Sequence, residues 1–321
     1  MDNKYDMENA KTFLEEFMAR RNAEEGVICM AGDQASKFDY QILKTGIPSC
    51  HRVLTTGQDT EEVLFRLQGV LMDVNLGPLK ECLQSPRPLS KKFGGKELIH
   101  SIELSGLGSN VFDQGVMNLY LWDLRLSRMF EAAYWNQWTP ESGKADTTLL
   151  FTNRVLTPSF LCEGGEELPL PSELGKHAKA LVQDGSHKYI LDNEISLYEH
   201  VKTADQDKYV QVPYTTFRKG DVVEVTFSLI ILPTTSGKRC TKLVLRGLSL
   251  ESAAYTNAMM IRKAMEAVDM KKRKRSNSDE GKPKQKVNFR RAKCYKEEED
   301  MEKEVEVTDG KLQEMDITKD T

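Results

Sequence analysis

No two of the six cysteines, at positions 29, 50, 82, 162, 240 and 294, stand close enough to form a Cys-x-x-Cys pair. That excludes the usual zinc ribbon and the dithiol redox motif. Histidine is equally sparse: His177, His187 and His200, taken with Cys162, lack the close paired spacing of a zinc site, so no metal ligand is expected. An apolar leader is missing, because Met1 to Asp6 is charged and polar, and with the scattered thiols this predicts a reducing compartment. The longest apolar stretch, Val222 to Leu232, is interrupted by Glu224, Thr226 and Ser228 and is too short to cross a bilayer, so no membrane partner is expected. Catalytic signatures are lacking as well. Gly106-Leu107-Gly108 has neither the third glycine nor an expected downstream helix to make a dinucleotide fingerprint, and there is no Gly-Lys-Ser/Thr phosphate loop and no Gly-x-Ser-x-Gly elbow. Neither an enzymatic role nor a cofactor is expected.

What the sequence has in abundance is segregated charge. The net charge is −4 over 321 residues, yet residues 271–293 hold eleven Lys/Arg against Asp279 and Glu280, and residues 296–321 hold eleven Asp/Glu against four lysines. Residues 1–270 are themselves mildly acidic, which argues against a whole-domain surface for a polyanion. Three regions follow: a globular body over 1–270, with a sub-boundary near 139–147; a disordered basic segment over 271–295; and a disordered acidic tail over 296–321.

The basic segment opens with Lys271, Lys272, Arg273, Lys274 and Arg275 and resumes with Lys282, Lys284, Lys286, Arg290, Arg291 and Lys293. Two cation clusters separated by a flexible Ser/Asn/Asp/Gly interval match a two-part nuclear import signal, in which an extended chain offers spaced cations to acidic pockets of an import receptor. The same cations in a flexible segment also favour contact with nucleic acid by displacing counterions. Ser276 and Ser278 lie beside the first cluster, where phosphorylation would add negative charge and weaken import. The acidic tail either competes for these cations within the chain or mimics a polyanion toward basic partners such as chromatin proteins.

Within the body, Ala10, Phe13, Leu14, Phe17 and Met18 predict an amphipathic helix over 7–22. Asp59 and Glu62 read as a capping box for a helix carrying Val63, Leu67, Val70 and Val74, with a short second helix over 78–83. Alternation at Leu98, His100, Ile102 and Leu104 predicts a strand; residues 115–138 read as a strand entering a helix; Leu149 to Phe151, Tyr189 to Leu191, Ile195 to Tyr198 and Tyr209 to Val212 read as further strands. Val223, Val225, Phe227, Leu229 and Ile231 share one face of a strand that turns at Thr234 to Lys238 and returns over 242–250 as a hairpin. A last helix over 252–268 carries Ala254, Ala258, Ile261, Met265 and Val268 on one face, and with the helix over 60–75 it is expected to cover that hairpin. The fold class is therefore α+β, an antiparallel-rich sheet with flanking helices, a C-terminal hairpin and helix, and a disordered tail.

The hairpin residues Phe217, Gly220, Asp221, Val223, Glu224 and Val225, then Leu245, Arg246, Leu248 and Leu250, resemble proteins multiplied within the genomes of mushroom-forming fungi. The resemblance covers 209–250, implies a eukaryotic, lineage-specific protein, and carries no activity and no site residue. Two functions stand side by side. The first is a nuclear interaction protein, with a cytoplasmic pool, whose tail binds an import receptor and touches chromatin. The second is a single-stranded nucleic-acid binder that uses Lys242, Arg246, Arg218 and Lys219 near Phe217 and Tyr214 on an open sheet face.

Overall fold

The computed structural model describes residues 2–46, 49–57, 59–77, 98–142, 147–162, 165–202 and 207–276. Four helices occur among them: α1 (Met7–Asn22), α2 (Asn110–Ser127), α3 (Gly175–Gln183) and α4 (Ala254–Ser276). The strands are β1 (Tyr40–Gly46), β2 (Ser49–Thr55), β3 (Phe65–Asn75), β4 (Ile99–Ser105), β5 (Glu141–Ser142), β6 (Thr147–Arg154), β7 (Thr157–Pro158), β8 (His187–Lys188), β9 (Ser196–Lys202), β10 (Asp207–Gln211), β11 (Val222–Pro233) and β12 (Arg239–Ser252). The α+β class and the mostly antiparallel sheet hold.

The hairpin β11–β12 organises the rest. Its strands pair antiparallel from Val222–Ser252 to Pro233–Arg239, with irregularities beside Val222 and Thr226 that strengthen the twist. β11 also pairs with β3, β3 with β4 and β4 with β6, all antiparallel, and β6 meets β12 in parallel at Thr152–Val244. These five strands close on themselves. Numbered along the chain, the ring runs 1-2-3-5-4-1, the order of the five-stranded, partly open Greek-key barrel called the OB-fold. β4 and β6, on either side of the expected sub-boundary at 139–147, are neighbours in that one ring. Outside it, β2 and β1 extend one side of the sheet from β11, and β9 and β10 extend the other from β12.

Large side chains fill the barrel: Phe227 lies 5.8 Å from Phe65 and 5.0 Å from Phe151, ring centre to ring centre. Trp122 of α2 packs edge-on to Phe65 at 5.3 Å and gives its indole N–H to the Ala35 carbonyl. α1 forms where expected, with Asp6 accepting from the Asn9 amide and Ala10, Leu14, Phe17 and Met18 buried. A satellite core of Leu98, Val155, Leu156, Leu174, Ala178, Leu181 and Tyr189 binds α3 to the chain around the two-stranded β7–β8 pair.

Several expectations are corrected. The helix over 60–75 is strand β3, paired on its two edges with β4 and β11; Val63, Leu67, Val70 and Val74 fall at helical intervals, but Phe65, Leu67 and Leu71 are buried in alternation with Arg66 and Gln68, and the pairing with two neighbours decides for the strand. Glu62, read as a capping residue, instead accepts from Arg52 and Arg246. Residues 110–127 are helical throughout, because Phe112, Val116, Leu119, Trp122 and Leu126 bury one side and the strand-like alternation of Asn118, Tyr120 and Trp122 has no sheet edge to join. Gly106-Leu107-Gly108 is thus followed by a helix after all, though the third glycine is still missing. Tyr189 to Leu191 does not form a strand: Leu191 opens a 3-10 turn ending at Asn193, whose side chain bonds the Ile190 amide, the Arg154 carbonyl and the Thr157 hydroxyl. α4 does not cover the hairpin. Ile261, Met265 and Val268 are 55%, 64% and 51% exposed, because α1 and the added strands already occupy that role. The short helix expected over 78–83 lies outside the described residues.

Candidate nucleic-acid interface

The six side chains expected to hold a single strand are dispersed. Phe217 belongs to the core. Tyr214 stacks on buried His100 at 5.3 Å and borders a cavity of about 430 Å³ shared with Glu173 and Glu194; burial, then those two carboxylates, raise its phenol pKa. Arg218 and Lys219 are exposed in the turn before β11, where the Arg218 amide donates to Asp221 at 2.7 Å. Lys242 is exposed on β12.

Arg246 is held in an ion-pair cluster. It donates from Nε to Ser228 at 3.1 Å and from Nη2 to Asp192 at 2.6 Å and Glu62 at 3.0 Å. Arg52 shares both acids, reaching Glu62 at 2.6 Å and Asp192 at 2.9 Å. Two guanidinium groups facing two carboxylates are neutral as a set, and they fasten β2, β12, the 59–64 segment and the Leu191–Asn193 turn. A phosphate approaching Arg246 would have to displace a carboxylate.

The arrangement of strands builds a different site. β9 lies parallel to β12, with Gly247 opposite Ser196 and Ser249 opposite Tyr198, and β10 returns with Tyr209 opposite His200 and Gln211 opposite Tyr198. Since side chains alternate, Ser196, Tyr198, Tyr209, Thr226 and Gly247 line one groove of about 460 Å³, which Leu64, Arg66 and the expected contact residue Arg246 also border. The floor is low because Gly247 has no side chain: a Cβ there would lie 3.3 Å from both the Thr226 Cβ and the Ser196 carbonyl oxygen. Tyr198 and Tyr209 are 38% and 45% exposed, so each ring presents a surface while its base stays anchored. Tyr209 stacks on His200 at 4.7 Å and 14°, and His200 in turn is held by Glu251 at 2.7 Å and by Asp207. Burial, then Glu251, raises the Tyr209 pKa, so it remains a neutral phenol at physiological pH.

At the inner end of the groove lies Glu224. It is 3% exposed and accepts two bonds from Arg21, at 2.6 and 2.7 Å, one from Arg66 at 3.1 Å and one from Gln68 at 2.8 Å. Burial opposes the Arg21 charge, but the hydrogen bonds and negative charge of Glu224, with Tyr209 and Glu24, together raise its pKa. Arg66 is bound to Glu224 through one nitrogen only and is otherwise half-exposed on the wall, a cation able to meet a second partner. The groove therefore offers two phenol faces, small polar residues beneath them and one guanidinium at the side, a fit for a planar ring bearing hydrogen-bonding edges. Sequence reasoning missed Tyr198, Arg66 and Gly247 as site residues. Tyr198 and Gly247 lie on strands with period-two patterns, but nothing local announces that β9 docks beside β12 or that Arg66 lies on a strand.

Of the basic tract, Lys271 to Arg275 continue the backbone of α4, which ends at Ser276. The first cluster thus begins on a helix rather than on the extended chain expected. Lys282, Lys284, Lys286, Arg290, Arg291, Lys293 and Ser278 lie outside the described residues. Among the described residues no group of three His, Cys, Asp or Glu side chains is placed to hold a metal ion, and no helix is long and apolar enough to cross a membrane.

No family model and no curated protein matches the chain. Among solved structures it is similar to gp2.5, a single-stranded DNA-binding protein encoded by bacteriophage T7, at 13% identity and a TM-score of 0.31 over 59% of this chain and 86% of that one, a likeness too distant to carry function.

Proposed function

We propose that the chain is a nuclear single-stranded nucleic-acid-binding protein whose barrel stacks bases in the Tyr198–Tyr209 groove. The observation that carries this reading is the groove itself: two half-exposed tyrosines on one sheet face, a floor lowered by Gly247 and the Arg66 guanidinium alongside. Base-on-aromatic stacking is tolerant of sequence and contributes about 1–3 kcal/mol per base. The barrel's strand order supports the reading, since oligonucleotides and oligosaccharides are recurrent ligands of that architecture, although a fold by itself does not assign a function. The basic tract acts in series with the groove. It supplies phosphate contacts that the body, being acidic, does not, and it engages the import receptor.

Fluorescence anisotropy of a labelled oligothymidylate with the full chain tests this. Tyr198→Ala and Tyr209→Ala are each expected to weaken binding roughly tenfold with an unchanged salt slope, because they remove stacking and no charge. Replacing the cations of 271–275 by Gln is expected to flatten the salt slope while leaving the tyrosine effect in place, and to reduce nuclear accumulation of a fluorescent fusion. If the tyrosine variants bind as the parent does, the groove is not the site.

The exposed apolar stripe of α4 favours a second function, protein binding, in the terms of the nuclear interaction protein set out above.

A further inference from the structure

Alternation along β9 serves two hollows. Ser196 and Tyr198 line the tyrosine groove, whereas Leu197, pointing the opposite way, lines the separate cavity of about 430 Å³ that Tyr214 borders. Three 3-10 turns bring its polar residues together. Ser172–Leu174 carries Glu173 and is anchored by buried Leu174; Glu194 follows Leu191–Asn193, which the Asn193 side chain locks; and Tyr214 opens Tyr214–Thr216. No Lys, Arg or His lines this cavity, and among the described residues neither Glu173 nor Glu194, both exposed, has an ion-pair partner. Tyr189 supplies an independent sign. It is only 5% exposed, yet its hydroxyl borders the cavity with no hydrogen-bond partner among the described residues. A buried polar atom of this kind ordinarily has a partner, and here the space for one is open. Burial, then Tyr214 and Glu194, raises the Tyr189 pKa, so its oxygen stays a neutral phenol beside the two carboxylates.

The lining narrows the ligand. Two carboxylates repel a phosphate, so this is not an extension of the nucleic-acid groove. They also lack the third acid, His or Cys that would place them, among the described residues, around a metal ion. We propose that the cavity receives a guanidinium group, either of a free guanidino compound or of an arginine side chain in a partner segment. A guanidinium is planar, carries five donors in a fixed fork and is more weakly hydrated than an ammonium. The carboxylates of Glu173 and Glu194, the Tyr189 oxygen and the Gln211 amide carbonyl give that fork acceptors on several sides. Tyr214, held by its stack on His100, gives an aromatic surface for the charge, and Leu197 gives an apolar wall that a weakly hydrated cation tolerates. An ammonium, a compact and strongly hydrated point charge, uses fewer of these acceptors and loses more water on entry. The site does not depend on base stacking in the tyrosine groove.

Isothermal titration calorimetry of the full chain tests the proposal, with Nα-acetyl-arginine amide, Nα-acetyl-lysine amide and a neutral Gly/Ser peptide carrying one arginine as probes at up to about 10 mM. The arginine amide is expected to bind at one site per chain and at least about threefold more tightly than the lysine amide. Glu173→Gln and Glu194→Gln, on exposed side chains, are each expected to weaken it roughly fivefold with unchanged circular dichroism, and together to abolish it. Tyr189→Phe removes only the unpartnered hydroxyl; it is expected to weaken arginine binding about twofold to threefold without lowering the urea midpoint, a split that a purely structural role would not produce. Tighter binding of the peptide than of the arginine amide supports a protein segment as the source of the guanidinium, and equal binding supports a free guanidino compound. No binding of either arginine probe, equal binding of lysine and arginine, or arginine binding that survives the double Glu→Gln variant overturns the proposal.

Discussion

Glu224 shows how much one side chain settles. Its alternation with Val223 and Val225 places it on the polar side of β11, as the sequence indicates, but that side is not solvent: α1 lays Arg21 across it. A buried carboxylate with a bidentate guanidinium, a second arginine and an amide is fully satisfied, and its removal leaves the Arg21 charge, 5% exposed, with Glu24 as its remaining carboxylate. Glu224→Ala is therefore expected to cost about 3–5 kcal/mol, read as a lower urea midpoint at neutral pH, while Glu224→Gln, which retains the acceptor oxygen, costs less. The same reasoning applies to Arg246. A cation on a strand between apolar neighbours looks available, and only the fold reveals the two carboxylates, from positions 62 and 192, that neutralise it.

At the scale of elements, legibility follows how local the deciding interactions are. The hairpin β11–β12, β4 and α1 are written in their own periodicities and a near turn or cap, and all three form as expected. β3 is not, because its burial comes from two partners distant in sequence, Phe227 and Ser105 among them, and no pattern within residues 65–75 names them. The groove fails for the same reason, since it needs the parallel docking of β9 on β12. The junction from β4 into α2 is governed by space: at Gly106 an added Cβ would clash with Cβ and Cγ of Phe112, whose backbone is fixed in the first turn of α2. Gly106→Ala is expected to push that turn off the sheet and lower stability by about 2–3 kcal/mol in thermal or urea unfolding, with far-UV circular dichroism largely retained.

Acid stability belongs to the molecule as a whole. Burial lowers the His100 pKa to about 4, so the folded protein holds it neutral while the unfolded chain protonates near 6.5. A depressed folded-state value means that the stabilisation is complete above pH 6.5 and is lost as the pH falls toward 4, by roughly 1.4 kcal/mol per pH unit within that window. Asp221 works in the opposite sense. Its carboxyl is raised by burial, so protonating it relieves a cost as the pH falls. Urea midpoints between pH 7 and pH 4.5 are expected to fall for the parent and to fall less for His100→Phe, which preserves the stack on Tyr214 and cannot take a proton. The ring of strands carries one more consequence, for the nascent chain. Phe65 waits for Phe227, and the barrel shuts only when β12, the last strand, meets β6. Until almost the whole body has left the ribosome, β3, β4 and β6 are an open sheet with free edges, so folding is expected to be slow and to begin with the late hairpin rather than with the strands made first.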